Sequence, residues 1–400
     1  MNNSRFHTAL RRACRSMRRA AISLFAGLSL TVGLGHAAEP VKVGVLLPYT
    51  GTYAALGEAI TNGMKLAVSQ AGDKLGGREV EYVIVDSEAN PSKAPANMQK
   101  LISGEHADFI VGPVHSGVGM GMAKVARDEG AITIIPNAGF NAATGPLCAP
   151  NIFRTSFTSW QTAYPMGAVA KERGYDRVVT MTWDYGFGRE SVAAFKEAFS
   201  KAGGEIVKEI YVPFPNVEFQ AQLTEIANLK PDAVFVFFAG GGAVKFVKDY
   251  AAAGLHGKIP LLGSGFLTDG TLQAQGDTAE GILTTLHYST ELQNPANLKF
   301  LKDYRAAFGK EADIYAVQGY DTGRLLVQAM EEVGGNTEDR QALIAALASQ
   351  RIDSPRGEWA FSEAHNPVQN IYLREVRNGR NVVVGTPAKG LADPARGCRM

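Results

Sequence analysis

Ser116 is the residue around which binding chemistry can be organised. It follows an apolar run from Ala107 to Val111 and a Gly112-Pro113 break, and it precedes Gly117, Gly119 and Gly121 at the start of a helical pattern. A strand that turns into a helix in this way leaves backbone N–H groups and the positive end of a helix dipole facing the crevice at the strand's carboxyl end. An anion fits there. The Ser116 hydroxyl reads either as a donor to that anion or as an N-cap for a helix beginning near Gly117, and His115 reads either as a turn histidine or as a ligand contact. The glycines spell GxGxG, and Met122 breaks the dinucleotide fingerprint. The pattern points to a small carboxylate held without reaction. No GxSxG, P-loop or HExxH is present, His115 and Ser116 are neighbours whose side chains diverge in a turn, and the seven histidines do not cluster at ligand spacing. No metal or cofactor is expected.

Near-continuous apolar runs that alternate with helical periodicity position this crevice. Strands are predicted at 41–47, 80–86, 108–111, 132–135, 177–183, 206–212, 233–239, 261–263 and 281–286, with helices at 54–70, 93–103, 117–129, 161–173, 187–201, 218–229 and 243–253. This is an α/β pattern of parallel strands and crossover helices. Nine strands are many for one sheet, and the polar, non-periodic stretch 151–159 separates four from five, so two lobes are expected. Helices follow at 297–308, 314–333 and 338–349, then a strand at 359–361 and a hairpin, 370–377 and 381–384, turning at Asn378-Gly379. The residues after Thr386 read as an extended tail.

The first 37 residues carry six arginines and no acid, then an apolar run over 20–34, then small residues at Gly35 and Ala37. This is the form of a cleavable secretory signal, and the apolar run is short for a membrane span. The whole chain carries 40 basic and 39 acidic residues; without its first 37 it keeps 34 basic residues, a net charge of −5. Such a charge speaks against nucleic acid or an anionic membrane as partner. Cys14 leaves with the signal. The remaining Cys148 and Cys398 suit one disulfide in an exported chain, with two free thiols as the alternative.

In order along the chain, VKVGVLLPYTGTYAALGEAITNGMKLAV, DFIVGPVHSG, IIPNAG, FRTSF, TWDYGFGRE, AEGILTTLHYS and YDTGRLL resemble the periplasmic leucine/isoleucine/valine-binding family, the type I substrate-binding proteins of ABC importers. The resemblance covers Val41 to Gly385. It implies two doubly wound, Rossmann-like lobes joined by three crossover strands, at 153–157, 285–289 and near 357–361, with residues 41–156 plus 289–357 in one lobe, 157–288 plus 358–386 in the other, and 387–400 as the tail. It further implies a periplasmic monomer that encloses a small ligand in the inter-lobe cleft and presents it to membrane permease subunits.

Carried over residue by residue, the resemblance assigns the ligand carboxylate to Ser116, with His115 beside it. Asn137 and Gly139 fall on the next binding loop, and Gly139 replaces a threonine and keeps only its N–H. Tyr185 matches a cleft tyrosine of the second lobe. Gly265 stands where amino-acid binders place a glutamate for the ligand ammonium, while Tyr53, Trp183 and Phe266 could supply an aromatic wall. Without an anion a buried ammonium would be unpaired, at a cost of several kcal/mol. An aromatic acid such as a benzoate or phenylpropanoid acid is therefore the expected ligand. A branched-chain or other amino acid is the alternative, with Asp184, Asp269 or Asp321 in the glutamate's role; a soluble sensor or a periplasmic hydrolase are the readings from other classes.

Overall fold

The computed structural model describes residues 39–400, and the expected signal peptide, residues 1–37, lies outside them. Strands β1 (Val41–Leu47), β2 (Lys74–Leu75), β3 (Arg78–Asp86), β4 (Phe109–Val111), β5 (Thr133–Ile135) and β6 (Ile152–Arg154) form one sheet in the order β2-β3-β1-β4-β5-β6. Every pairing in it is parallel except β2 with β3. The VKVGVLL run is almost wholly buried because helices cover both faces of the sheet, which is why it reads as continuous rather than alternating.

The second sheet is built from β7 (Arg177–Trp183), β8 (Glu205–Val212), β9 (Ala233–Phe237), β10 (Leu261–Ser264) and β11 (Leu283–Leu286), followed late in the chain by β12 (Arg351–Ile352), β13 (Trp359–Phe361), β14 (Pro367–Arg377) and β15 (Arg380–Leu391). Its order is β12-β13-β14-β11-β10-β9-β7-β8, with β15 on β14. The run from β11 to β8 is parallel, and β14 and β15 are antiparallel additions.

The helices are α1 (Ala54–Gln70), α2 (Ala94–Gln99), α3 (Ser116–Glu129), α4 (Ser159–Glu172), α5 (Gly186–Lys201), α6 (Gln220–Leu229), α7 (Gly240–Ala252), α8 (Leu272–Gln275), α9 (Pro295–Phe308), α10 (Ile314–Glu332) and α11 (Arg340–Ser349). Although it comes after the second sheet in sequence, α10 packs along α1 on the first lobe. Backbone meets backbone there, since a Cβ at Gly63 or Gly319 would lie 1.9 Å from the carbonyl oxygen of Ala316 or Ile60.

Two regions differ from the sequence expectation. The stretch 151–159 contains β6 and the start of α4. Its polar residues Arg154, Thr155 and Ser156 are fully buried, bonded to groups far away in sequence, so no periodic pattern marks them. The expected extended tail, 387–400, begins inside β15, which runs to Leu391 and keeps Pro387 in an outer strand where its missing N–H is tolerated. Beyond it Asp393 accepts from Thr158 Oγ1 at 2.5 Å, Arg396 pairs with Glu197 at 2.7 Å, and Cys398 is disulfide-bonded to Cys148 with Cα atoms 5.5 Å apart. The β14–β15 turn is the two-residue Asn378-Gly379, both at positive φ, between paired Arg377 and Arg380.

Three buried arginines bind the inter-lobe chain passages together. Arg356 donates to the carbonyls of Thr155 (2.6 Å) and Ser156 (2.9 Å), Arg154 to those of Phe140 (2.7 Å) and Phe157 (3.0 Å), and Arg374 to that of Tyr288 (2.9 Å).

Candidate functional site

Strand order reverses at β1, between β3 and β4, and again at β7, between β8 and β9. Crevices at the carboxyl ends of strands open at such points, and the two lobes bring them face to face. The lobes touch across the cleft: Tyr53 and Tyr185 share a hydroxyl hydrogen bond of 3.0 Å, and the Asn141 N–H donates to Glu190 Oε2 at 2.9 Å.

Between them lies a small cavity, with about 260 Å³ of empty space including its opening to solvent. Tyr53, Leu56, Val114 and Asn137 line it from the first lobe, with Tyr315 from the start of α10; Tyr185, Phe187, Phe237, Ala239 and Phe266 come from the second, and Phe157 from the chain passage between them.

Of the residues singled out in the sequence, Tyr53, Asn137, Tyr185 and Phe266 stand in this wall. Trp183 does not: it lies one layer behind, edge-on to Tyr53 at 6.1 Å, with its indole N–H donating to the Asn216 carbonyl at 2.8 Å. Ser116, His115 and Gly139 are not among the lining residues: His115 stacks on the lining ring of Tyr185, Gly139 lies under Phe157 and Phe187, and Ser116 follows His115 at the start of α3. Phe157, Phe187, Phe237 and Tyr315 were not singled out in the sequence.

The start of α3 is built differently from its sequence. His115, rather than Ser116, is the N-cap, and its Nδ1 accepts from the Gly117 N–H at 3.1 Å. An accepting Nδ1 puts the ring proton on Nε2. Burial lowers the His115 pKa to about 4, so the ring is neutral at working pH. It stacks on Tyr185 at 4.4 Å and its Nε2 is buried without a partner. Ser116, 1% exposed, likewise has an unpartnered Oγ. Two adjacent orphan donors at a helix N-terminus favour an anion, since leaving each unpaired costs ~1–3 kcal/mol. Burial also raises the pKa of Tyr53, Tyr185 and Tyr315, so these phenols remain donors, and the Tyr315 hydroxyl has no partner.

Asn137 Nδ2 donates to Gln318 Oε1 at 2.7 Å, which fixes the amide from behind. Gly139 contributes by what it lacks. A Cβ there would lie 2.6 Å from Phe187 and 2.7 Å from Phe157, so glycine lets two rings of the wall close over the backbone, while its carbonyl accepts from the N–H and Oγ of Ser159, both at 2.7 Å.

The acids that could replace a glutamate at position 265 are all committed. Asp269 pairs with Arg374, whose Nη2 stands 2.3 Å from where a Cβ on Gly265 would be. Asp321 lies 2.9 Å from Arg356 Nε and accepts from Ser354 and Trp359 at 3.0 Å. Asp184 pairs with Arg189 at 2.5 Å. Asp313, raised to about 7 by burial, accepts from the Ala316 N–H as the cap of α10. Among the described residues no cluster of metal-ligating side chains forms, and no helix is long and apolar enough to cross a membrane.

Fold and cavity together define a protein that encloses a small ligand between two α/β lobes. The chain belongs to the periplasmic binding protein family, whose pattern matches residues 40–381. It is 33% identical over 369 residues to Leu/Ile/Val-binding protein homolog 6 of Brucella melitensis biotype 1, covering 90% of this chain and 93% of that one. Among solved structures it is similar to an ABC transporter solute-binding protein from R. palustris in complex with benzoate, at 51% identity and a TM-score of 0.89, over 90% of this chain and all of the other. A solute-binding protein from Rhodopseudomonas palustris BisB5 in complex with 3,4-dihydroxybenzoic acid matches at 34% identity and a TM-score of 0.84, over 89% of this chain and 99% of the other.

Proposed function

We propose that this protein captures a small aromatic carboxylate, such as a benzoate or phenylpropanoid acid, in the inter-lobe cleft and delivers it unreacted to the permease of an ABC importer. The observation that carries this reading is a ring-walled cavity beside the N-terminus of α3, where Ser116 Oγ and His115 Nε2 are buried without partners, while Asp184, Asp269 and Asp321 are each paired with an arginine and Asp313 caps a helix. A carboxylate has donors to meet there, and an ammonium has no anion. The benzoate and dihydroxybenzoate complexes of the similar solute-binding proteins support it.

In this reading Ser116 and His115 grip the carboxylate, Tyr53, Tyr185 and Phe266 hold the ring, Asn137 and Gly139 shape the adjoining loop, and Trp183 backs Tyr53. The protein acts as a periplasmic monomer after removal of residues 1–37. The lobe bounds expected from the resemblance, 41–156 plus 289–357 and 157–288 plus 358–386, are adjusted so that β12 (Arg351–Ile352) and β15 to Leu391 go with the second sheet. The amino-acid alternative draws on the names of the Leu/Ile/Val-binding relatives; it requires an acid to leave its present partner.

A thermal-shift screen of residues 38–400 against benzoate, cinnamate, leucine and phenylalanine tests the assignment. A ligand at 100 times its Kd stabilises the folded form by ~2.7 kcal/mol. The aromatic acids should raise the melting temperature and Ser116→Ala should remove most of that gain. Stabilisation by leucine without any by the acids would overturn the reading.

A further inference from the structure

Seven of the eleven residues lining the cavity are aromatic, and they form a connected array rather than scattered contacts. Phe266 meets Phe187 edge-on at 5.8 Å and 82°, and Phe237 at 6.4 Å and 79°; Phe157 meets Phe187 at 5.9 Å and 77°, while Tyr185 meets Phe237 at 6.0 Å and 65°. Other wall pairs are tilted, Phe157 with Phe266 at 4.8 Å and 37° and Phe187 with Phe237 at 4.2 Å and 41°, so the wall mixes perpendicular and tilted rings. Edges carry positive and faces negative partial charge, so another planar π-system placed among them finds a complementary surface on several sides, and a saturated ring finds only dispersion.

The array is also held from behind. Phe157 and Phe187 rest on the Gly139 backbone with no room for a single added carbon. Arg154 holds the Phe157 carbonyl at 3.0 Å, and His287 stacks against the Phe157 ring at 5.2 Å. A wall supported this way does not retreat cheaply, because added volume in a packed interior forces rotamer and backbone shifts. The free space is small, about 260 Å³ including its opening to solvent, so it leaves little room for a ligand bulkier than a flat ring. A cyclohexane chair carries hydrogens above and below its mean plane; a benzene ring carries none.

We propose that the cavity selects the planarity and π-charge distribution of its ligand, taking aryl carboxylates and rejecting saturated ring carboxylates of the same outline. This rests on the aromatic-acid reading and specifies it. Benzoate and cyclohexanecarboxylate present the same charged group on a six-membered ring, so the carboxylate contacts cancel in the comparison. One or two edge-to-face pairs correspond to a preference of roughly 2- to 150-fold for benzoate.

Isothermal titration of residues 38–400 with benzoate, cyclohexanecarboxylate and leucine, repeated on Phe266→Leu, tests this. The expected result is benzoate favoured within roughly that 2- to 150-fold range, with Phe266→Leu losing benzoate affinity while cyclohexanecarboxylate binding holds or improves. Phe187→Leu serves as the second variant should Phe266→Leu fail to give the parent's circular dichroism spectrum. Equal affinity for the two ring acids, or equal losses for both in the leucine variant, overturns the planarity inference and leaves the aromatic-acid reading standing. Binding of leucine with neither ring acid bound overturns both.

Discussion

Gly240→Ala isolates the energetics of closure. Gly240 opens α7 on the second lobe at φ +56°, and a Cβ built on it would lie 2.5 Å from the backbone oxygen of Thr52 on the first lobe. That oxygen cannot swing aside as a side-chain tip would, so the lobes must part to make room. Overpacking of this kind costs ~1–3 kcal/mol. The contact crosses the cleft, so the cost falls on the closed state alone. The left-handed φ adds a separate penalty of ~1–2 kcal/mol, which burdens open and closed forms alike and lowers the melting temperature without ligand. Ligand bound by the closed state then loses roughly 5- to 150-fold in affinity, at about 1.4 kcal/mol per factor of ten. Titration of parent and variant with benzoate reads this loss, and small-angle scattering of the ligand-free proteins reads the lobe separation, which should increase. A variant that melts earlier yet binds with unchanged Kd and keeps its radius of gyration would refute the argument, because strain within the lobe would then be the whole effect.

Two further perturbations follow from the buried charges. The folded-state pKa of His115 lies near 4, below its unfolded value, so the unfolded chain binds the extra proton between about pH 6.5 and 4. The stability His115 contributes is present above that window and declines as pH falls through it, by ~2–3 kcal/mol at pH 4.5, and His115→Gln should flatten this part of a urea-denaturation profile taken from pH 4.5 to 7.5. Gly265→Glu, which restores an acid at the position of the ammonium-pairing glutamate, should not create an amino-acid site. Its side chain needs the space of Arg374 Nη2 and of Leu286 Cβ, 2.3 and 2.6 Å from the new Cβ, so calorimetry with leucine should show no heat and thermal melting should show loss of stability.

The cavity explains which parts of the site a sequence can disclose. Val114, Asn137, Phe157, Tyr185, Phe187, Ala239 and Phe266 all stand two to four residues beyond the end of a parallel strand. Where the strand end could be read, as after β5, β7 and β10, some wall residues could be read too, Asn137, Tyr185 and Phe266 among them, although Val114 after β4 and Phe187 after β7 were missed. Phe157 escaped because β6 is only three residues long and the buried residues after it are polar, Thr155 bonded to Arg356 and Thr322 far along the chain, although Thr158 and Gln161 form a capping box that marks the start of α4. Phe237 lay inside an apolar run where nothing distinguishes the last residue of a strand from its interior, and Tyr315 sits on a helix that comes after the second sheet in sequence and packs on the first lobe, mainly along α1. The substitution at Gly265 was visible, but its cause was not: Arg374, more than a hundred residues later on an antiparallel strand, occupies the volume a side chain would need and ties up Asp269 as well. A missing acid in the sequence therefore marks an exclusion of volume in the fold, and a second substitution at Arg374 would have to accompany any change of ligand charge at this position.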